Sequence, residues 1–146
     1  MKQKTNVLFL CTGNSCRSQM AEGWAKSLNL ENVEFYSAGI EAHGLNLNAV
    51  KVMQESGIDM NQHRSQLLSE FSDINFDLVF AVCDKANKNC PAFDGETQVI
   101  CHQFDDPPKL AQGLTDETRV LDCYRQVRDQ IKHWIDELSQ QLITSH

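Results

Sequence analysis

Val7-Leu8-Phe9-Leu10-Cys11-Thr12-Gly13-Asn14-Ser15-Cys16-Arg17-Ser18-Gln19-Met20-Ala21 is an apolar run, a polar loop and the start of a helical pattern in immediate succession. The run Val7 to Leu10 is short and continuously apolar, which is how a strand buried on both faces reads. Met20, Ala21, Trp24, Ala25 and Leu28 then recur at helical spacing, so a helix follows the loop. The alternation continues along the chain. Val33-Glu34-Phe35-Tyr36 predicts a second strand, and Asn48 to Ser56 carries Ala49, Val50, Val52 and Met53 as a helix ended by Gly57. Leu78 to Val82 predicts a third strand and Gln98-Val99-Ile100-Cys101 a fourth. From about Asp116, the residues Val120, Leu121, Tyr124, Val127, Ile131, Trp134, Ile135, Leu138 and Leu142 form one stripe, predicting a long amphipathic helix with Thr115 as its cap. Strands alternating with helices require right-handed crossovers, hence an α/β three-layer sandwich with a four-stranded parallel sheet flanked by helices. Ligands in such sheets bind beyond the carboxyl ends of the strands, at a topological switch point. Cys11 follows the first strand and Cys83 the third, so both are expected at that rim, as neighbours if the two strands are adjacent.

The bulk properties narrow the function classes. At 146 residues the chain has the size of one domain, 1–146, able to bury roughly two-thirds of its unfolded surface. A net charge of -7 argues against nucleic acid or an anionic membrane as partner, because either would require a broad basic face, yet a small anion needs only local positive potential. The longest apolar stretch, Leu78 to Cys83, is too short to span a membrane and the start carries no export signal, so a cytoplasmic location is expected. Six cysteines, at 11, 16, 83, 90, 101 and 123, would suggest a stapled framework in a small secreted protein. In a chain of this size the better reading is thiol chemistry, with core filling expected of Cys101 and Cys123.

The loop from Cys11 to Ser18 places a thiol and a guanidinium six positions apart across a Gly-containing turn that opens a helix. If the amides of Thr12, Gly13, Asn14, Ser15, Cys16 and Arg17 curl inward as a nest, they bind an oxyanion, and Arg17 clamps it from the side. The same field draws the thiol pKa below its ordinary ~8.5, making Cys11 a thiolate nucleophile. Ser18 is placed to donate to that sulfur. Gly13 and Asn14 both tolerate the positive φ such a turn requires. The plain alternative is a buried structural cysteine beside an ordinary turn, and the strand before and helix after argue against it.

These residues resemble the start of a thioredoxin-coupled arsenate reductase, a family sharing its fold with the low-molecular-weight tyrosine phosphatases. The similarity continues through Tyr36-Ser37-Ala38-Gly39-Ile40-Glu41, Gly57-Ile58-Asp59, Cys83-Asp84-Lys85-Ala86-Asn87-Lys88-Asn89-Cys90-Pro91, Phe104-Asp105-Asp106-Pro107 and Arg125 to Ile131. It implies a flavodoxin-like strand order. It also implies that Asp106, immediately before Pro107, is the general acid, whereas read alone Asp105-Asp106-Pro107-Pro108 would be a solvated acidic turn. In the mechanism implied, Cys11 attacks arsenate, Cys83 attacks Cys11 and releases arsenite, and Cys90 attacks Cys83 to leave a Cys83–Cys90 disulfide for thioredoxin. No tightly bound cofactor and a monomeric chain are expected.

Some members of that family bind potassium beside the anion loop. Asn14, Glu22 and Ser37 match that site, but Arg64 and Gln66 stand where a small hydroxyl residue and an acid would complete it. An Arg there could substitute its own charge, so weak or absent potassium stimulation is expected. The chain is also longer than usual between Pro108 and Tyr124. The strongest rival is a tyrosine phosphatase using Cys11, Arg17 and Asp106. Against it, Pro108 and Lys109 follow where phosphatases place ring-binding aromatics. A noncatalytic phosphate-binding module would keep Arg17 and the nest but need no relay thiols.

Overall fold

The computed structural model describes residues 4–14, 16–82 and 97–144. Ser15, Cys83 and Cys90, three of the residues singled out above, lie outside them.

Strand β1 runs over Thr5–Cys11, and its last five residues are all buried, as a strand covered on both faces must be. Helix α1 follows at Arg17–Ser27, then β2 at Val33–Gly39 and α2 at Leu47–Glu55. A short 3-10 turn, Leu68–Phe71, precedes β3 at Leu78–Ala81 and β4 at Gln98–Cys101. The chain ends in a single-turn helix, α3, at Pro107–Leu110 and a long helix, α4, at Glu117–Thr144. The segment beyond Pro108 that was unusually long is therefore α3, a turn through Gly113 at φ 84°, and the start of α4.

All three strand pairs are parallel, in the order β2-β1-β3-β4. The expected parallel three-layer α/β fold is the one observed. Leu8 registers with Tyr36 on one side and Val79 on the other. Successive strand residues face opposite ways, so Phe35 and Tyr36 report the two covered faces. On one, Phe9 packs between Phe35 and Phe80 at 5.9 and 6.0 Å and against Trp134 of α4 at 5.8 Å. On the other, Tyr36, Phe71 and Phe76 form an edge-to-face cluster.

Helix α4 buries Leu121, Tyr124, Val127, Ile131, Ile135, Leu138 and Leu142, the stripe read from sequence, with Val120 and Trp134 partly covered beside it. Its first turn is capped by Asp116, not Thr115: the Asp116 Oδ1 accepts from the Thr118 amide at 2.9 Å. Two other expectations are corrected. Cys101 is exposed, because β4 lies at the edge of the described sheet, and Cys123 is half-buried, because it sits off the α4 stripe. Neither fills the core.

No helix of the described residues is long and apolar enough to cross a membrane.

Candidate functional site

From β1 the chain passes to one side of the sheet to make β2 and then to the other to make β3. The switch point thus lies between β1 and β3, at the carboxyl end of β1, where Cys11 is the last strand residue and 5 % exposed. The Val82 amide donates to the Leu10 carbonyl at 2.9 Å, so β3 leaves the sheet alongside Cys11.

Between Cys11 and α1 the loop turns at Asn14, which adopts φ 48°, a left-handed conformation that Asn tolerates better than most residues. The Asn14 side chain is fully used. Its Nδ2 donates to Ser18 Oγ at 2.9 Å, and its Oδ1 accepts from the Gln66 amide at 2.7 Å and from Gln19 Nε2 at 2.9 Å. Because Ser18 Oγ accepts from Asn14, its single O–H proton is left to point elsewhere. Gly13 does not adopt positive φ, contrary to the sequence expectation. A Cβ there would lie 2.2 Å from the His43 ring, so any side chain at this position would have to displace that half-exposed imidazole.

The loop is braced from outside. The single Ser65 hydroxyl proton is shared between the carbonyls of Asn14 at 2.7 Å and Gly13 at 2.9 Å, while Glu41 N and His43 N donate to Thr12 O and Gly13 O. With so many carbonyls of the loop held from behind, its opposite side is left to amides. Cys16 caps α1 without a side-chain hydrogen bond, which leaves the first-turn amides of the helix for an anion. Burial pushes the Cys16 thiol up to about 12, so at neutral pH it stays protonated and contributes as a loop residue, not as a nucleophile.

Arg17 is mostly covered, with 13 % of its side chain exposed. Its Nη1 donates to the Phe104 carbonyl at 3.0 Å and its Nη2 lies 3.7 Å from Asp106 Oδ1. The buried Nε finds no hydrogen-bond partner among the described residues, which leaves a donor for a ligand. Asp106 precedes Pro107 at the start of α3, with 39 % of its side chain exposed, whereas Asp105 makes no pairing with Arg17. The mouth is completed by Lys109 and Leu110, with Phe104 turned into a ring cluster against Trp134.

Thus the structure brings Cys11, Thr12, Gly13, Asn14, Cys16, Arg17, Ser18 and Asp106 together, and leaves Ser15, Cys83 and Cys90 outside the described residues. Several contributors were not legible in the sequence. Gln19, fully buried on α1, ties Asn14 to the Arg64 carbonyl at 2.9 Å and accepts from His63 Nδ1 at 2.9 Å. A hint existed in the polar pair Gln19 and Glu22, which flank Met20 and Ala21 in the buried part of the helix. The roles of Phe104, Ser65 and Gln66 were not readable from residue type, since their contacts with the loop run through main-chain atoms.

A potassium ion does not fit the residues present. Glu22 accepts from Ser37 and binds the Lys26 ammonium at 2.5 Å, and the Asn14 side-chain oxygen already has two donors. The expected substitution by Arg64 is corrected: its guanidinium reaches out to Glu70 at 3.2 Å, and Lys26 supplies the cation.

Residues 6–145 match the family described as "Low molecular weight phosphotyrosine protein phosphatase". The chain is 47% identical over 131 residues to an arsenate reductase of Bacillus licheniformis, covering 90% of this chain and 91% of that one. Among solved structures it is similar to "An arsenate reductase in oxidized state" at TM-score 0.73 and 32% identity, covering 97% of this chain and 98% of the other. It is also similar to the YwlE arginine phosphatase from Geobacillus stearothermophilus at TM-score 0.76 and 29% identity, covering 97% and 94% of the two chains.

Proposed function

The chain belongs to the low molecular weight phosphotyrosine protein phosphatase family, and from that premise we propose that it is an arsenate reductase that carries out its reaction by a thiol relay. Its likeness at 47% identity is to an arsenate reductase, and among the solved structures the arsenate reductase at 32% and the arginine phosphatase at 29% are nearly level. The observation that carries the reading is the hydrogen bond from Val82 N to Leu10 O, which delivers the chain to the rim of Cys11 one residue before Cys83.

Arsenate enters the loop Cys11 to Ser18, where amides and the Arg17 guanidinium hold its oxygens. The Cys11 thiolate forms an S–As bond, assisted by the Ser18 hydroxyl, and Asp106 gives its proton to the oxygen that departs as water. Cys83 then attacks Cys11. The S–As electron pair stays on arsenic, which leaves as arsenite, and a Cys11–Cys83 disulfide forms. Attack by Cys90 on Cys83 moves the disulfide outward and restores the Cys11 thiolate. Two thiols have supplied the two electrons. Thioredoxin, a dithiol, closes the cycle in the cytoplasm, and the chain acts as a monomeric single domain with no tightly bound cofactor.

The test is Cys83→Ser. With thioredoxin, thioredoxin reductase and NADPH, arsenate-dependent NADPH oxidation is lost in the variant, while slow hydrolysis of a small aryl phosphate, which needs only Cys11, Arg17 and Asp106, continues. Retained arsenate turnover in Cys83→Ser overturns the relay. Glutathione with glutaredoxin, run in parallel, shows whether thioredoxin is the donor.

A further inference from the structure

The segment that carries Asp106 has few backbone attachments of its own. His102 N still donates to Ala81 O at 2.9 Å, in continuation of the β4 ladder, and Asp106 O accepts from Leu110 N at 2.9 Å inside α3. Between them, residues 103 to 105 donate no backbone hydrogen bond to another described residue. What meets this stretch is a ring cluster. His102 stacks on the Trp134 indole, with centroids 4.8 Å apart and planes 15° from parallel. Phe104 meets the same indole edge-on at 5.4 Å, and His102 and Phe104 lie 4.9 Å apart.

Trp134 is itself fixed on the sheet, edge-on to Phe80 at 5.2 Å and to Phe9 at 5.8 Å. It therefore forms a rigid link between the core and the segment. That segment in turn touches Arg17 twice, through the Phe104 carbonyl and through Asp106. Aromatic pairs prefer defined ring geometries, so beyond adding stability they fix orientation. A proton donor that must meet one departing oxygen is sensitive to shifts on the order of 1 Å.

We propose that Trp134 is a positioning residue, which by stacking on His102 and meeting Phe104 holds Asp106 and the Phe104 carbonyl in register with Arg17. The inference rests on the reading of Asp106 as the proton donor. It assigns a role in the chemistry to a side chain on the far helix that touches no substrate.

The test uses the full-length chain and two aryl phosphates, one with an acidic nitrophenol as leaving group and one with a weakly acidic phenol. In both, the Cys11–P bond forms as the P–O bond breaks, and water then breaks Cys11–P to release phosphate, a step the two esters share; only the weakly acidic phenol requires a proton from Asp106 to leave, and kcat/KM reports that departure. Trp134→Leu and His102→Ala are expected to lose on the order of tenfold in kcat/KM on the weakly acidic phenol and little on the nitrophenol, a part of the ~10²–10⁴ that an acid contributes. His102→Phe, which restores a ring against Trp134, recovers the loss. His102 is exposed, so His102→Ala keeps the test decisive even if Trp134→Leu fails to fold. Equal losses on both esters, or none on either, overturn the proposal. Asp106→Asn separates the two levels: if it loses selectively and the ring variants do not, only the role of Trp134 falls. If Asp106→Asn shows no selectivity, or the unaltered chain hydrolyses neither ester, the reading of the acid falls and the proposal with it.

Discussion

Gly39 and Asn14 hold the anion loop in shape by opposite means. Asn14 uses every polar atom of its side chain to sustain a left-handed turn. Gly39, at the end of β2, works by having no side chain: a Cβ would sit 2.3 Å from the Glu41 carbonyl, 2.8 Å from Asn14 N and 2.8 Å from Thr12 O. All three are backbone atoms, so the strain of an added methyl cannot be relieved by a rotamer change. Gly39→Ala is therefore expected to push the loop open and weaken phosphate binding by at least ~tenfold, equivalent to about 1.4 kcal/mol. Titration calorimetry with inorganic phosphate measures it, and an unchanged Kd would show that the loop is softer than its contacts imply. Cys11, Asn14 and Arg17 were legible because their spacing lies within one short loop. The job of Gly39 was not, because what crowds it comes from a different segment.

Among the elements, α2 and α4 are clasped by one carboxylate. Arg125 Nε and Nη2 donate to the two oxygens of Glu55 at 2.9 and 2.7 Å, and Arg128 adds a contact at 3.2 Å while also donating to the Val52 carbonyl. The Arg125 hydrogen bonds hold the Glu55 carboxyl down at about 2, against an ordinary 4.5. A depressed folded-state pKa means that the unfolded chain takes up the proton first. The clasp thus contributes fully above about 4.5 and is lost as the pH falls toward about 2. Glu55→Gln removes this dependence, so the Tm difference between it and the unaltered chain is expected to shrink across that window; a constant difference would assign the clasp no electrostatic content. Periodicity foretold both helices, since their apolar stripes repeat locally. It misplaced the cap of α4 by one residue, since Thr115 and Asp116 are both capable acceptors and only backbone geometry selects Asp116. It also missed that α1 buries Ser18, Gln19 and Glu22, polar groups that find partners in other segments.

For the molecule as a whole, three parts far apart in sequence lock the site: α1, the end of β2 and the stretch from His63 to Gln66. Together they give the Asn14 oxygen two protein donors and Glu22 a hydroxyl donor, and bring in Lys26 as a built-in cation. Replacing sodium by potassium chloride at constant ionic strength is accordingly expected to leave arsenate turnover unchanged, and a severalfold potassium-specific rise would mean that Lys26 yields its place. The parallel α/β architecture was readable because period-2 and period-3.6 patterns, and the right hand of crossovers, are local properties of a chiral chain. From patterning alone the adjacency of β1 and β3 was conditional, and the register that pairs Leu10 with Ala81 decides it. Residue order along the chain thus sufficed for the strand, the thiol, the guanidinium and the helix that follow one another from Val7 to Ser27. Folding alone chose Lys26 over Arg64, brought Phe104 to Arg17 across 87 positions, and set Trp134 behind the acid. Contacts of that kind join distant segments, often through main-chain atoms common to every residue type, and so leave no mark in composition or spacing.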